Sequence, residues 1–207
     1  GGHYCPPYKL QCMKYLKILS IIALLSVTAC GNRSNKNVAQ EAGPSMAQQE
    51  LLSNGWKLFT PENGDLPAAY GINPVRGLLD NYFDIEMGAG LNLAVKIVDA
   101  QTNKTIRYVF VRENTRANIS QVPPGQYYLK MAFGHDWMIN DQDLQFRGKF
   151  TRGASYEISE DIFDFGKANS INAKSFRLRI NMEQNELYTN FNTTTISETQ
   201  FYDEPLN

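Results

Sequence analysis

The chain predicts an all-β protein: an antiparallel β-sandwich of about seven strands, with one short N-terminal helix. Three observations predict it. Apolar residues recur with a period of two from Tyr82 onward, turn-forming clusters interrupt that pattern, and no helical period appears after residue 55. A strand of this kind offers one side to a core, so two such sheets facing each other bury both apolar sides.

The elements follow in order. Ser45 with Gln48 three residues later reads as a capping box. Leu51 and Leu52 supply an apolar side and Gly55 a stop, which predicts a helix over 46–53. Residues 56–60 read as a short strand, and 61–74 as a loop rich in Pro, Gly and Asn. Phe83, Ile85 and Met87, then Leu91, Leu93, Val95 and Ile97, alternate with more polar residues. Residues 99–104 are turn chemistry. Residues 105–111 are β-branched and aromatic, apolar on both faces for part of their length, and pair with 91–98 as a hairpin. A short strand at 117–119 leads to Val122-Pro123-Pro124-Gly125. Beyond that turn, Tyr127, Leu129, Met131 and Phe133 point one way, while Gln126, Tyr128, Lys130 and Ala132 point the other. Gly134-His135-Asp136-Trp137 reads as a loop. Residues 144–150 and 176–182 alternate again, and 193–196 close a sheet edge.

The turn at Pro123, Pro124 and Gly125 has a clear physical reading. Proline fixes φ, glycine tolerates φ above zero, and Tyr127 then drops into the core. The run from Ile119 to Leu129 resembles a turn of transthyretin-like and carboxypeptidase-regulatory-like β-sandwiches. That resemblance implies a fold and no activity. The wider order of strands, with Gly134-His135-Asp136-Trp137 and Phe163-Asp164-Phe165, is similar to lipoprotein domains of Bacteroidota-type bacteria, which likewise implies no activity.

The N-terminal region speaks of location. Met13, Lys14 and Lys17 precede the apolar stretch 18–27, and Leu25-Ser26-Val27-Thr28-Ala29 leads directly into Cys30. A positive n-region, a short apolar h-region and small residues before the cut are the parts of a signal peptide. The stretch is half the ~20 residues a membrane-spanning helix needs. The cysteine after the small residues resembles the lipobox of bacterial lipoproteins, which implies that Cys30 is acylated and becomes the mature N-terminus. The expected organisation is therefore upstream sequence or a wrongly assigned start over 1–12, a signal peptide over 13–29, an acylated cysteine and flexible tether over 30–45, a helix and loop over 46–75, and the sandwich over 76–207. Gly31 and Asn32 after the cysteine resemble outer-membrane cargo, so the expected location is the outer membrane of a bacterial envelope, on its periplasmic side.

Composition narrows the function. The chain carries 20 Lys and Arg against 21 Asp and Glu, and three of the lysines precede Cys30. The remainder is mildly acidic, which argues against nucleic acid as a partner. No cysteine follows Cys30, so a disulfide, a thiolate zinc site and a cysteine nucleophile are excluded there. His135 is the only histidine after Cys30, which is poor chemistry for zinc, and no nucleophile-elbow sequence is present. Asn140, Asp141 and Asp143 with Glu160, Asp161 and Asp164 do not follow an EF-hand spacing. No metal, cofactor or catalytic residue is therefore assigned. His135, Asp136, Trp137 and Tyr128 form the candidate binding surface, and Arg177 and Arg179 share an outward strand face fit to pair with acids across the sheet. The expected function is a non-enzymatic, membrane-anchored lipoprotein that serves binding or envelope assembly, with an envelope protein or a glycan as partner. The alternatives are an envelope hydrolase acting through His135 and Asp136 or through paired acids in 160–164, and a secretion-apparatus lipoprotein by analogy with the transthyretin-fold lipoprotein of type VI secretion systems.

Overall fold

A computed structural model describes residues 43–142, 147–184 and 186–203. Cys30, the signal peptide, most of the tether, Asp143 and the start of the alternation expected at 144–150 lie outside the described residues. Ala42–Asn207 form one compact unit.

A helix, α1 (Met46–Ser53), opens the described chain where the capping box predicts it: the Ser45 side chain accepts from the Gln48 amide while the Gln48 side chain accepts from the Ser45 amide. The strands are β1 (Lys57–Leu58), β2 (Gly64–Asp65), β3 (Tyr82–Met87), β4 (Asn92–Asp99), β5 (Thr105–Val111), β6 (Arg116–Ile119), β7 (Gln126–Asn140), β8 (Arg147–Ser159), β9 (Phe163–Asp164), β10 (Ser175–Glu183), β11 (Glu186–Thr189) and β12 (Thr193–Thr195), followed by helix α2 (Glu198–Tyr202). The strands beyond the expected seven are two to four residues long.

They form two facing sheets. The larger has the order β12-β8-β7-β4-β5-β2, with β1 and β9 each also paired to β7; the smaller has the order β11-β10-β3-β6. The expected hairpin is present as β4 against β5, and β12 closes one edge of the larger sheet. One pairing departs from the antiparallel expectation: β3 and β10 run parallel. A parallel neighbour needs a long crossover, and here most of the larger sheet is built between the two strands.

The inter-sheet core is the set of alternating residues the sequence points inward. Phe83, Ile85, Leu93, Val95, Ile97, Leu129, Met131, Phe133, Leu178 and Ile180 are all buried in one cluster. Phe163 and Phe165 join it by packing edge-on against Phe83, at centroid distances of 5.2 and 4.9 Å. The turn before β7 is locked by Tyr127, whose hydroxyl donates to the Pro123 carbonyl at 3.1 Å. The ring lies so close to Gly125 that a Cβ there would meet the phenol oxygen at 2.8 Å, so glycine is required. Burial pushes the Tyr127 phenol up to about 12. Asn81, fully buried, bonds the Val122 carbonyl and the Lys174 amide and so ties three loops together.

The other face of the larger sheet is not the wet surface that alternation suggests. Ala94, Tyr108, Phe110, Ala132, Trp137, Phe150 and Tyr156 form a second buried cluster with Leu66 and Phe201. Its cover consists of the segment around Leu66, Tyr70 and Ile72 and of helix α2. Lys96, on this face, is buried among the rings of Tyr108, Phe201 and Tyr202, with its ammonium 5.1–5.8 Å from their centroids.

Charged side chains fasten the parts. Arg107, 2% exposed, makes a two-pronged pair with Asp65 at 2.6 and 2.7 Å and donates to the Ser120 carbonyl at 2.9 Å. It thereby joins the start of the cover to the end of β6. On the outer face of the smaller sheet, Asp84 is held by Arg116 and Arg177, and Arg179 lies 3.6 Å from Glu86. The expected cross-sheet pairing of Arg177 and Arg179 is thus present. The Arg116 guanidinium keeps the Asp84 carboxyl below the usual carboxylate range.

Candidate functional site

Gly134-His135-Asp136-Trp137 is not a loop but the middle of β7. Gly and Asp favour a turn only when the backbone lacks other partners. Here β8 pairs with one side of β7, while β4 and then β1 pair with the other. The turn-prone residues instead produce a bulge. Asp136 adopts φ 53° and Gly153 on β8 adopts φ 61°. The β7–β8 register slips by one between Phe133 and His135, so that Gly153 and Ala154 stand opposite Gly134. The slip reverses the faces of β7, because a one-residue shift turns every later side chain over. Tyr127, Leu129, Met131 and Phe133 face the smaller sheet, whereas Trp137 and Ile139 face the cover.

This corrects the expectation for Trp137. Its ring is 2% exposed and sits against Phe110 and Phe150, at 5.5 and 4.8 Å between centroids. It cannot offer an open face to a ligand; it forms the floor of a cleft. Tyr128 is also not part of this group. It lies opposite Val98 at the other end of β7, half-buried, and its hydroxyl is 3.3 Å from the Asn103 side-chain oxygen.

His135 and Asp136 are brought together with residues that periodicity could not connect. Asp136 accepts two hydrogen bonds from Arg152, at 2.7 and 3.1 Å, and one from the Gln48 amide at 3.0 Å. Gln48 also donates to the Thr151 hydroxyl, which in turn donates to the Asp136 carbonyl. The Arg152 guanidinium, helped by Gln48, holds the Asp136 carboxyl below its ordinary range. The N-terminal helix is therefore pinned to the bulge through the same glutamine that caps it.

Two clefts meet at His135. One, of about 320 Å³, is lined by Leu58, Phe59, Asn92, Glu113, Arg152 and their neighbours over a Trp137 and Phe110 floor. The other, of about 590 Å³, lies at the mouth of the sandwich between Gly90, Leu91, Ser155 and Met182. Both volumes fall in the range of small-ligand sites. In the first cleft the His135 ring, the Asn92 amide nitrogen and the Thr60 hydroxyl make no hydrogen bond to any described residue, and one oxygen of Glu113 accepts from the Gly90 amide at 2.9 Å. Sequence reasoning missed Phe59, Asn92, Glu113, Arg152 and Gln48. The signal available for them was Gly134 and Gly153 inside strand patterns, which mark a bulge.

The carboxylates considered for catalysis are already engaged. Asp136 directs its oxygens at Arg152 and Gln48, so it does not orient His135 as the third member of a triad would. The acids of 160–164 are engaged in chain geometry: Glu160 accepts from the Thr194 hydroxyl, Asp161 from the Asn192 amide and Asp164 from the Gly166 amide. Asp141 is paired with Lys57. Among the described residues no three His, Cys, Asp or Glu side chains gather around a metal position, and no helix is long and apolar enough to cross a membrane. Compared with protein-family profiles, curated proteins and solved structures, the chain finds no match.

Proposed function

We propose that this protein is a membrane-anchored lipoprotein of a bacterial envelope whose β-sandwich serves as a binding module. The observation that carries the reading is the run Leu25-Ser26-Val27-Thr28-Ala29-Cys30 after a lysine-flanked apolar stretch. It supplies a signal peptide and a thiol placed for acylation. Two or more acyl chains hold a protein on a bilayer far more firmly than one, and the polar residues after Cys30 act as a tether. The outer membrane, on its periplasmic side, is the location this reading favours. The proline turn and Tyr127 support a transthyretin-like sandwich as the body. The clefts at His135 support a ligand-binding role, with an envelope glycan or protein as the partner.

The test is Cys30→Ser in the producing cell. The expected result is a protein that carries no lipid by mass spectrometry and leaves the membrane fraction. A Cys30→Ser protein that still sediments with membranes, or a native protein with a free thiol at that position, overturns the anchor.

A further inference from the structure

The geometry points to a saccharide as the ligand of the cleft beside His135: sugar rings of a neutral glycan, resting on Phe59 and hydrogen-bonded by His135, Asn92, Thr60 and Glu113. This inference rests on the reading of the sandwich as a binding module and names what that module binds.

Charge argues first. Asp136 and Arg152 neutralise each other in a two-pronged pair. Glu113 is the remaining carboxylate of the lining. An anionic ligand would meet that surplus carboxylate, whereas hydroxyl groups would donate to it. Hydrogen-bonding capacity argues next. A sugar hydroxyl both donates and accepts. The lining offers an imidazole, an amide NH₂, a hydroxyl and a carboxylate, which together supply both functions. Three of these four groups make no hydrogen bond within the described protein, so a ligand would meet hydrogen-bonding capacity that folding has left available.

The apolar wall completes the pattern. Phe59 is 47% exposed and Leu58 beside it 55%, although both line a concave surface. An aromatic face of this kind is where the C–H side of a pyranose can shed water, while the sugar's hydroxyls reach the polar rim. An extended peptide cannot add to β7, because strand addition needs an open edge. Here β7 is paired on both sides, and the Phe59 amide already donates to the Trp137 carbonyl at 2.9 Å. His135 also lines the second cleft, so a longer glycan could continue across it.

The experiment uses the purified full chain in detergent micelles and saturation-transfer NMR. The probes are neutral tetrasaccharides of β1,4-N-acetylglucosamine, β1,4-glucose, α1,4-glucose and α-mannose, with tetra-alanine as the peptide probe. The expected result is saturable binding of at least one tetrasaccharide, weakened about tenfold or more by Phe59→Ala and by His135→Ala, and unchanged by Tyr188→Ala on the exposed face of β11. Melting curves establish that each variant is folded. If no tetrasaccharide binds, or if binding ignores both cleft substitutions, the saccharide assignment is overturned. Binding of tetra-alanine alone, lost in His135→Ala, overturns the saccharide but leaves the binding module standing. Cleft failure of either kind leaves the Cys30 anchor to its own test.

Discussion

The two faces of the larger sheet bury similar side chains by different means. One face meets the smaller sheet, so its cover is itself a hydrogen-bonded layer. The other meets the segment around Leu66, Tyr70 and Ile72 and the five-residue helix α2. Lys130 holds the end of that helix by donating to the Gln200 and Asp203 carbonyls, and Tyr202 donates to the Gly148 carbonyl at 2.9 Å. The first face can be exposed only by unfolding the sandwich. The part of the second that lies under α2 can be exposed by detaching that five-residue helix, which costs less. Equal burial in the folded state therefore does not mean equal contribution to global stability.

Truncation of one phenylalanine on each face separates the two. Phe133→Ala, on the inter-sheet face, is expected to lose about 3–5 kcal/mol, the range for emptying a phenylalanine site in a rigid core. Denaturant titration should show one shifted, cooperative transition. Phe201→Ala removes an equally buried ring, but its loss is capped by the free energy that holds α2 in place. It is expected to fall below that range, with hydrogen exchange rising in α2 and not at Leu93 or Val95. If Phe201→Ala is as costly as Phe133→Ala and opens both faces together, the cover is part of the cooperative core.

Alkaline pH probes the same difference through the phenols. Burial pushes Tyr156 up to about 12 and Tyr202 further in the same direction. A phenol whose folded pKa lies above its ordinary value of 10.0 contributes stability that is complete below 10.0 and is lost as pH rises through the folded value. The cover face holds both tyrosines and the inter-sheet face holds Tyr127, itself pushed up to about 12, so both faces lose stability between pH 10 and about 12. With two such phenols the cover face is expected to lose more, read as faster exchange in α2 than at Leu93 or Val95. Tyr156→Phe should narrow that loss. Equal exchange at both faces across this range would remove the distinction.

The inter-sheet face was legible because its residues obey one period. Phe83 to Met87, Leu91 to Ile97, Tyr127 to Phe133 and Phe176 to Met182 each alternate without a break. The cover face was not. Lys96 and Tyr108 make it look wet, and its partners come from short segments with no period of their own. The only trace was the run 105–111, apolar on both sides, which a sheet covered on both faces explains. The same limit applied at the candidate site. His135 and Asp136 stood out as rare residue types, but their partners Gln48, Phe59 and Arg152 arrive from three distant segments. Gly134 and Asp136 suggested a turn because local chemistry cannot report that neighbouring strands satisfy the backbone.

The smallest expected effect falls where β7 changes faces. Gln48 serves two roles there: it completes the cap of α1 and it bridges Asp136 to Thr151. Gln48→Ala should cost about 1–2 kcal/mol, the sum expected for part of a cap and a partly buried hydrogen bond. The carboxylate keeps Arg152, so the bulge should persist and the sandwich should melt as one unit. The change should instead appear as faster exchange in α1 and as altered NMR signals at His135 and Asp136, next to the two clefts. Should α1 exchange at its original rate in this variant, the helix is held by something other than the glutamine. The link from the N-terminal segment to the bulge would then carry no energy.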